Sequence, residues 1–170
     1  MFIIFAGLPG TGKSTIAQAM ARRLGAVYLR IDTIEQAIRA SGILPPGADV
    51  GAAGYIVAQR VAADHLRWGR IVIADSVNPI KLTRDAYRDV AEQAGVAWLE
   101  VEIVCSDKPV HRHRVETRPA TVEGLEPPSW ADVDGRSYEA WDRAPLQIDT
   151  ATLSVAESVE VVVAAATRRS

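Results

Sequence analysis

The sequence predicts an α/β fold of three layers, a five-stranded parallel sheet between two layers of helices. Three observations predict it. Five short apolar segments, at 2–5, 26–31, 70–74, 96–104 and 146–148, have the length and composition of buried strands. Helical patterns lie between them, and strands that alternate with helices pair in parallel with both faces covered. The first strand runs directly into a glycine-rich turn and a helix, which puts ligands at the carboxyl ends of the strands. At 170 residues, 48% hydrophobic and 24% charged, a single domain spanning 1–170 is expected to bury its own core.

The elements follow in order. The apolar start at 1–6 has no basic n-region and reads as a buried strand, not a signal peptide. An alanine-rich helix at 14–24 is stopped by Gly25. After the second strand a helix is expected at 33–40, which Asp32 could cap with Glu35 in the capping-box position. Helices at 52–68 and 83–94 flank the third strand, the latter closed by Gly95. Residues 106–118 carry Arg112, Arg114 and Arg118 at helical spacing, with Arg114 and Arg118 on one face. A last helix at 154–167 carries Val155, Val159, Val162 and Val163 on roughly one face. Proline-bearing loops at 44–47 and 118–128 are candidate covers for a site.

Composition excludes several classes. Lys plus Arg is 19 against 21 for Asp plus Glu, a formal charge of −2, so the chain is not built to coat nucleic acid. The single Cys105 cannot form an internal disulfide, and His65, His111 and His113 read as surface or partner residues, so no zinc site is expected. No apolar run approaches the roughly 20 residues of a membrane span. The expected compartment is reducing cytoplasm.

Gly7-Leu8-Pro9-Gly10-Thr11-Gly12-Lys13-Ser14 is a complete G-x-x-x-x-G-K-[ST] sequence between a strand and a helix. Its glycines let backbone N–H groups turn inward around phosphate oxygens. The helix N-terminus adds the positive end of its dipole, Lys13 reaches the β/γ-phosphates, and Ser14 offers a hydroxyl to Mg²⁺. This fixes a P-loop nucleoside-triphosphate hydrolase or kinase fold. Gly7, Pro9, Gly10, Thr11, Gly12, Lys13, Ser14 and Thr15 are the expected ATP-binding residues, with Lys13 on a solvent-facing loop. Asp75, at the end of the third strand, is placed to face the hydration shell of Mg²⁺ with Ser14, or else caps the next turn.

The acceptor side rests on a few charged residues. Asp32 follows the second strand and should share the carboxyl edge with the loop, a position suited to a general base on an acceptor hydroxyl. Arg114 and Arg118, in a lid at about 107–128, could close over ATP and neutralise charge on the transferred group, or form a solvated basic face. Arg136 and Arg143 could reach either substrate or neither.

With these residues on the page, the chain resembles the small bacterial P-loop kinases of the AAA_33 type, similar to chloramphenicol phosphotransferase and polynucleotide kinase domains. The likeness lies in the loop at 7–15, Ile31-Asp32-Thr33-Ile34-Glu35, Asp75-Ser76-Val77-Asn78-Pro79, the lid from Cys105-Ser106-Asp107 to Arg118, and Pro128-Ser129-Trp130 leading to Ile148-Asp149-Thr150. It implies a nucleoside-kinase-like fold, ATP and Mg²⁺, Asp32 in the catalytic-base position, and Arg114 and Arg118 in the lid positions. Polynucleotide kinases of this kind carry an arginine three residues after the base. This chain has Glu35 there, which would repel a phosphate, and the chloramphenicol-phosphotransferase pattern is closer.

The expected activity is therefore transfer of the ATP γ-phosphate to a small-molecule hydroxyl. The alternatives are a polynucleotide 5′-hydroxyl kinase and a regulatory ATPase that signals to a protein partner. Asp32 and Glu35 should make the mouth acidic and unwelcoming to nucleic acid. Residues 43–68, with Tyr55, Trp68 and many alanines, should enclose a partly apolar acceptor pocket.

Overall fold

A computed structural model describes residues 1–45 and 47–169; Pro46, in the loop expected at 44–47, and Ser170 lie outside the described residues. The chain runs β1 (Phe2–Ala6), α1 (Lys13–Leu24), β2 (Val27–Arg30), α2 (Ile31–Ala40), α3 (Ala53–Arg67) and β3 (Val72–Asp75). It continues with α4 (Lys81–Gln93), β4 (Trp98–Val104), α5 (Lys108–Thr117), α6 (Trp130–Asp134), β5 (Leu146–Asp149) and α7 (Val155–Thr167). All four strand pairings are parallel, in the order β2-β3-β1-β4-β5.

The central strand β1 is buried along its whole length, and alternation of its side chains builds two cores. Ile3 and Phe5 pack with Ile16, Met20, Val101, Ile103, Val159 and Val162, on the face covered by α1 and α7. Phe2 and Ile4 face the other way, against Ala58, Ala62 and Leu66 of α3 and Tyr87 and Ala91 of α4. Small alanines on α3 let that helix lie close to the sheet.

Two local differences from the sequence reading have clear causes. β4 is not an apolar strand throughout, because Glu100 and Glu102 sit almost wholly buried within it. Each is paired, as a buried charge must be. Arg143 donates to both oxygens of Glu100, at 2.7 and 2.5 Å, while Trp141 Nε1 and Gln147 Nε2 donate to Glu102 at 2.8 and 2.9 Å. Arg143 is thus committed to the sheet and to Asp85, 2.7 Å away, not to a substrate. The second difference is α2, which begins at Ile31 with Arg30 in the capping position, so Asp32 lies inside the first turn and caps nothing.

Candidate functional site

β1, β3 and β2 lie side by side, with Phe5 level with Asp75 and Asp75 level with Arg30. Their carboxyl ends therefore present the glycine loop, Asp75 and Asp32 along one edge. The loop needs its glycines for space as much as for dihedrals. Gly7 has φ +137°, and a Cβ there would fall 2.2 Å from the Ile103 carbonyl oxygen. Gly10 has φ +84°, and a Cβ there would meet the Val115 Cγ2 of α5 at 2.4 Å. The lid helix packs directly onto the loop.

Lys13 opens α1 and is only 8% exposed, so the solvent-facing position expected for it is not observed. Its Nζ lies 2.9 Å from Oδ1 of Asp75, which is 2% exposed. The other carboxylate oxygen accepts from the Tyr28 hydroxyl at 2.5 Å. Burial alone would push the Asp75 carboxyl up, but the Lys13 ammonium and the side-chain donors Tyr28, Lys13 and Ser14 together hold it below the ordinary carboxylate range. Ser14 and Asp75 thus offer hard oxygens beside the loop, the donor chemistry Mg²⁺ prefers. No cluster of three or more His, Cys, Asp or Glu able to hold a metal exists among the described residues, so a cation here would need nucleotide phosphates and water to complete its shell.

On the other side of the loop, α5 contributes two residues with different work. His111, read from sequence as a surface or partner residue, is buried, its Nε2 lies 2.8 Å from the Pro9 carbonyl oxygen, and its ring stands edge-on to Trp130 at 5.2 Å. Arg114 donates to the Thr150 hydroxyl at 2.8 Å and carbonyl at 3.1 Å, and that hydroxyl donates to the Thr11 carbonyl at 2.7 Å. Arg114 is a brace between α5, the loop after β5 and the glycine loop. Arg118 does not share its helical face: α5 ends at Thr117, and Arg118 turns away with extended backbone.

That turn brings Arg118 toward Asp32. The guanidinium is half-buried, burial lowers its pKa, and the charge of Asp32 opposes that shift while Arg30 reinforces it. Arg30 Nη2 lies 3.3 Å from Asp32 Oδ2, and its Nη1 donates to Thr121 of the lid at 3.0 Å. The Asp32 side chain keeps 41% exposure. Arg30 therefore partly neutralises this carboxylate, with Arg118 within reach of its charge, so the mouth carries both signs where Asp32 and Glu35 were expected to make it acidic. Glu35 packs against Gly54 of α3, and burial raises its carboxyl pKa, with Arg39 working against the shift and Asp32 and Asp49 adding to it. Arg39 and Asp49 also line a cleft of about 650 Å³ with Gly42, Leu44, Pro45, Gly47 and Ala48.

The floor behind Asp75 is fixed by a residue the sequence reading passed over. Arg84 of α4 is wholly buried and donates to the carbonyls of Asn78 (3.1 Å), Pro79 (3.0 Å), Glu139 (2.7 Å) and Ala140 (3.3 Å). Its guanidinium lies 4.2 Å from the Trp141 ring centroid. Tyr55 Oη accepts from the Asn78 amide at 3.1 Å, which ties α3 to the segment after β3. Trp68 does not line the expected pocket: it is 73% exposed at the far end of α3, edge-on to His65.

The AAA_33 family, described as an AAA domain, matches residues 2–129. The chain belongs to that family. No curated protein matches it. Among solved structures, Mycobacterium tuberculosis APS kinase CysC in complex with AMPPNP and APS is 21% identical, with 98% of this chain and 96% of that chain covered and a TM-score of 0.73. Chaetomium thermophilum Kti12 in complex with ADP-AlF3 is 20% identical over 100% of both chains, TM-score 0.73. A Sinorhizobium meliloti gluconokinase is 21% identical over 98% and 91%, TM-score 0.64. At these identities the likenesses show the fold, that of the P-loop kinases.

The AAA_33 chain thus brings Gly7, Gly10, Lys13, Asp75 and Asp32 to one edge, with Arg118 beside Asp32 and Arg114 on the opposite side of the loop. Tyr28, Arg30, Arg84 and His111 were not foreseen as site residues. The signal available for Arg30 was its place two residues before Asp32; Arg84 and His111 carried none, because their partners are backbone carbonyls, which no residue type announces. No helix among the described residues is long and apolar enough to cross a membrane.

Proposed function

We propose that the chain is an ATP-dependent phosphotransferase that moves the γ-phosphate of Mg-ATP to a hydroxyl of a small molecule. The observation that carries this reading is the exposed carboxylate of Asp32, held 3.3 Å from Arg30 Nη2 at the same edge of the sheet as the glycine loop and on the far side of Asp75 from it. Adjacent strands are about 4.8 Å apart, so Asp32 stands roughly 10 Å from the end of β1, room for one phosphoryl group and one acceptor hydroxyl between loop and base.

Lys13 leaves Asp75 and binds the β/γ-phosphates. Ser14 and Asp75 would hold Mg²⁺, which when bound would shield the phosphate charge. Asp32 accepts the proton of the acceptor hydroxyl, and Arg118 meets the charge that develops on the transferred group. Arg114 holds the loop after β5 in place and acts on nucleotide binding. APS kinase and gluconokinase, as named, act on small molecules, in keeping with a small acceptor here. The cleft at the end of α2 and the following loop, lined by Arg39 and Asp49, is of a size for a metabolite or an antibiotic.

ADP release measured with and without a panel of hydroxyl-bearing metabolites and antibiotics tests the reading. Acceptor-dependent release that is lost in Asp32→Asn supports it. Hydrolysis that no acceptor accelerates, with capture of a protein partner, would instead support a regulatory ATPase.

A further inference from the structure

We propose that Tyr28 is a positioning residue for the divalent cation, holding the Asp75 carboxylate in the one orientation that aims Oδ1 at the glycine loop. The inference rests on the nucleotide-binding reading above and concerns a residue that reading does not use. Tyr28 is level with Ile73 across the β2–β3 pair, two residues before Asp75 and on the same face of the sheet. The length of its ring carries the hydroxyl along the strand to Asp75 Oδ2, 2.5 Å away, while Oδ1 sits 2.9 Å from Lys13 Nζ.

These two bonds differ in what happens when nucleotide arrives. Lys13 is drawn to the phosphates, so the bond at Oδ1 is surrendered. The bond at Oδ2 lies on the other side of the carboxylate and need not change. Tyr28 then remains the group that stops Asp75 from rotating, and Oδ1 stays directed at the position Lys13 has left. A phenol suits this work because it donates without bringing charge. Removing the hydroxyl leaves Oδ2 without this donor in a site 2% exposed and frees the carboxylate to turn. Partners one shell outside a metal's ligands commonly change its affinity by 10- to 100-fold.

The test is a melting-temperature titration of Mg²⁺ at fixed, saturating AMPPNP, in wild type, Tyr28→Phe, Asp75→Asn and the double variant. In Tyr28→Phe the Mg²⁺ concentration at half-maximal stabilisation is expected to rise about tenfold. The smaller shift given by AMPPNP with EDTA should be unchanged. In the Asp75→Asn background the Tyr28 substitution should add nothing to the Mg²⁺ midpoint, since both act through one carboxylate. An unchanged midpoint in Tyr28→Phe overturns the proposal, and so does an equal loss of the Mg²⁺ and EDTA arms, which marks a structural tyrosine. A wild type that AMPPNP does not stabilise at all would overturn the nucleotide reading itself, and the proposal with it.

Discussion

Lys13 Nζ and Asp75 Oδ1 are 2.9 Å apart in a site where neither side chain is more than 9% exposed. The lysine that the motif assigns to phosphate is thus held by the aspartate assigned to the metal. The two charges neutralise each other until ligands replace both partners. A nucleotide without a divalent cation would take Lys13 and leave Asp75 buried and unpaired, which links phosphate binding to cation binding.

Lys13→Ala should therefore cost stability as well as activity. Removing one partner of a buried pair typically costs about 3 to 5 kcal/mol, because the other charge is left uncompensated. Chemical denaturation of Lys13→Ala should show a loss of that order, and Lys13→Met with Asp75→Asn should recover most of it. Because the folded-state carboxyl of Asp75 lies below its unfolded value of about 3.9, its contribution is fully present above that pH and is lost as pH falls through the folded value.

Glu35 carries the opposite sign. Burial raises its folded pKa above the unfolded value of about 4.3, so the folded protein holds more protons in that interval and loses stability as pH rises through it. Glu35→Gln should melt at a higher temperature than wild type at pH 7. The difference should shrink as pH is lowered toward 4. A melting series from pH 4 to 7 reads both.

Gly10→Ala should separate α5 from the loop. Its Cβ would overlap Val115, and φ +84° adds backbone strain of about 1 to 2 kcal/mol. Val115→Ala in the same chain removes the overlap but not the strain. Nucleotide-induced stabilisation should be lost in Gly10→Ala and partly restored in the double variant.

Arg114 and Arg118 should divide their effects. Arg114 is bonded to Thr150 and through it to the Thr11 carbonyl, so Arg114→Ala should mainly raise KM for ATP. Arg118 lies within reach of the Asp32 charge and is proposed to meet charge on the transferred group, so Arg118→Ala should mainly lower kcat, by 10³-fold or more if it acts as a finger. Steady-state kinetics with a confirmed acceptor separates the two.

The strand and helix pattern was legible because each apolar run is short and each helix keeps its period. Even Ser154 could be placed at the start of α7, where it forms a capping box with Glu157. The glycine loop between β1 and α1 was legible because its residues are contiguous, from Gly7 to Ser14. Pairing between distant residues was not. Glu100 and Glu102 fall within the strand expected at 96–104, and nothing near them in sequence shows the Arg143, Trp141 and Gln147 side chains that pair with them. Arg114 and Arg118 share a helical face only if the helix continues past Thr117, and Pro119 directly after Arg118 biases that residue toward the extended backbone it adopts. The α6 helix, five residues long, is too short to show a period and is marked only by the Ser129–Asp132 box.

Transfer of label from γ-labelled ATP to hydroxyl compounds, in wild type and Asp32→Asn, tests the central claim most directly. Small metabolites and antibiotics are run beside a 5′-hydroxyl oligonucleotide. The account predicts covalent label on a small alcohol with wild type and none with Asp32→Asn, while AMPPNP still stabilises both. Efficient labelling of the oligonucleotide that depends on Asp32, or release of free phosphate as the one product in every reaction, would contradict it.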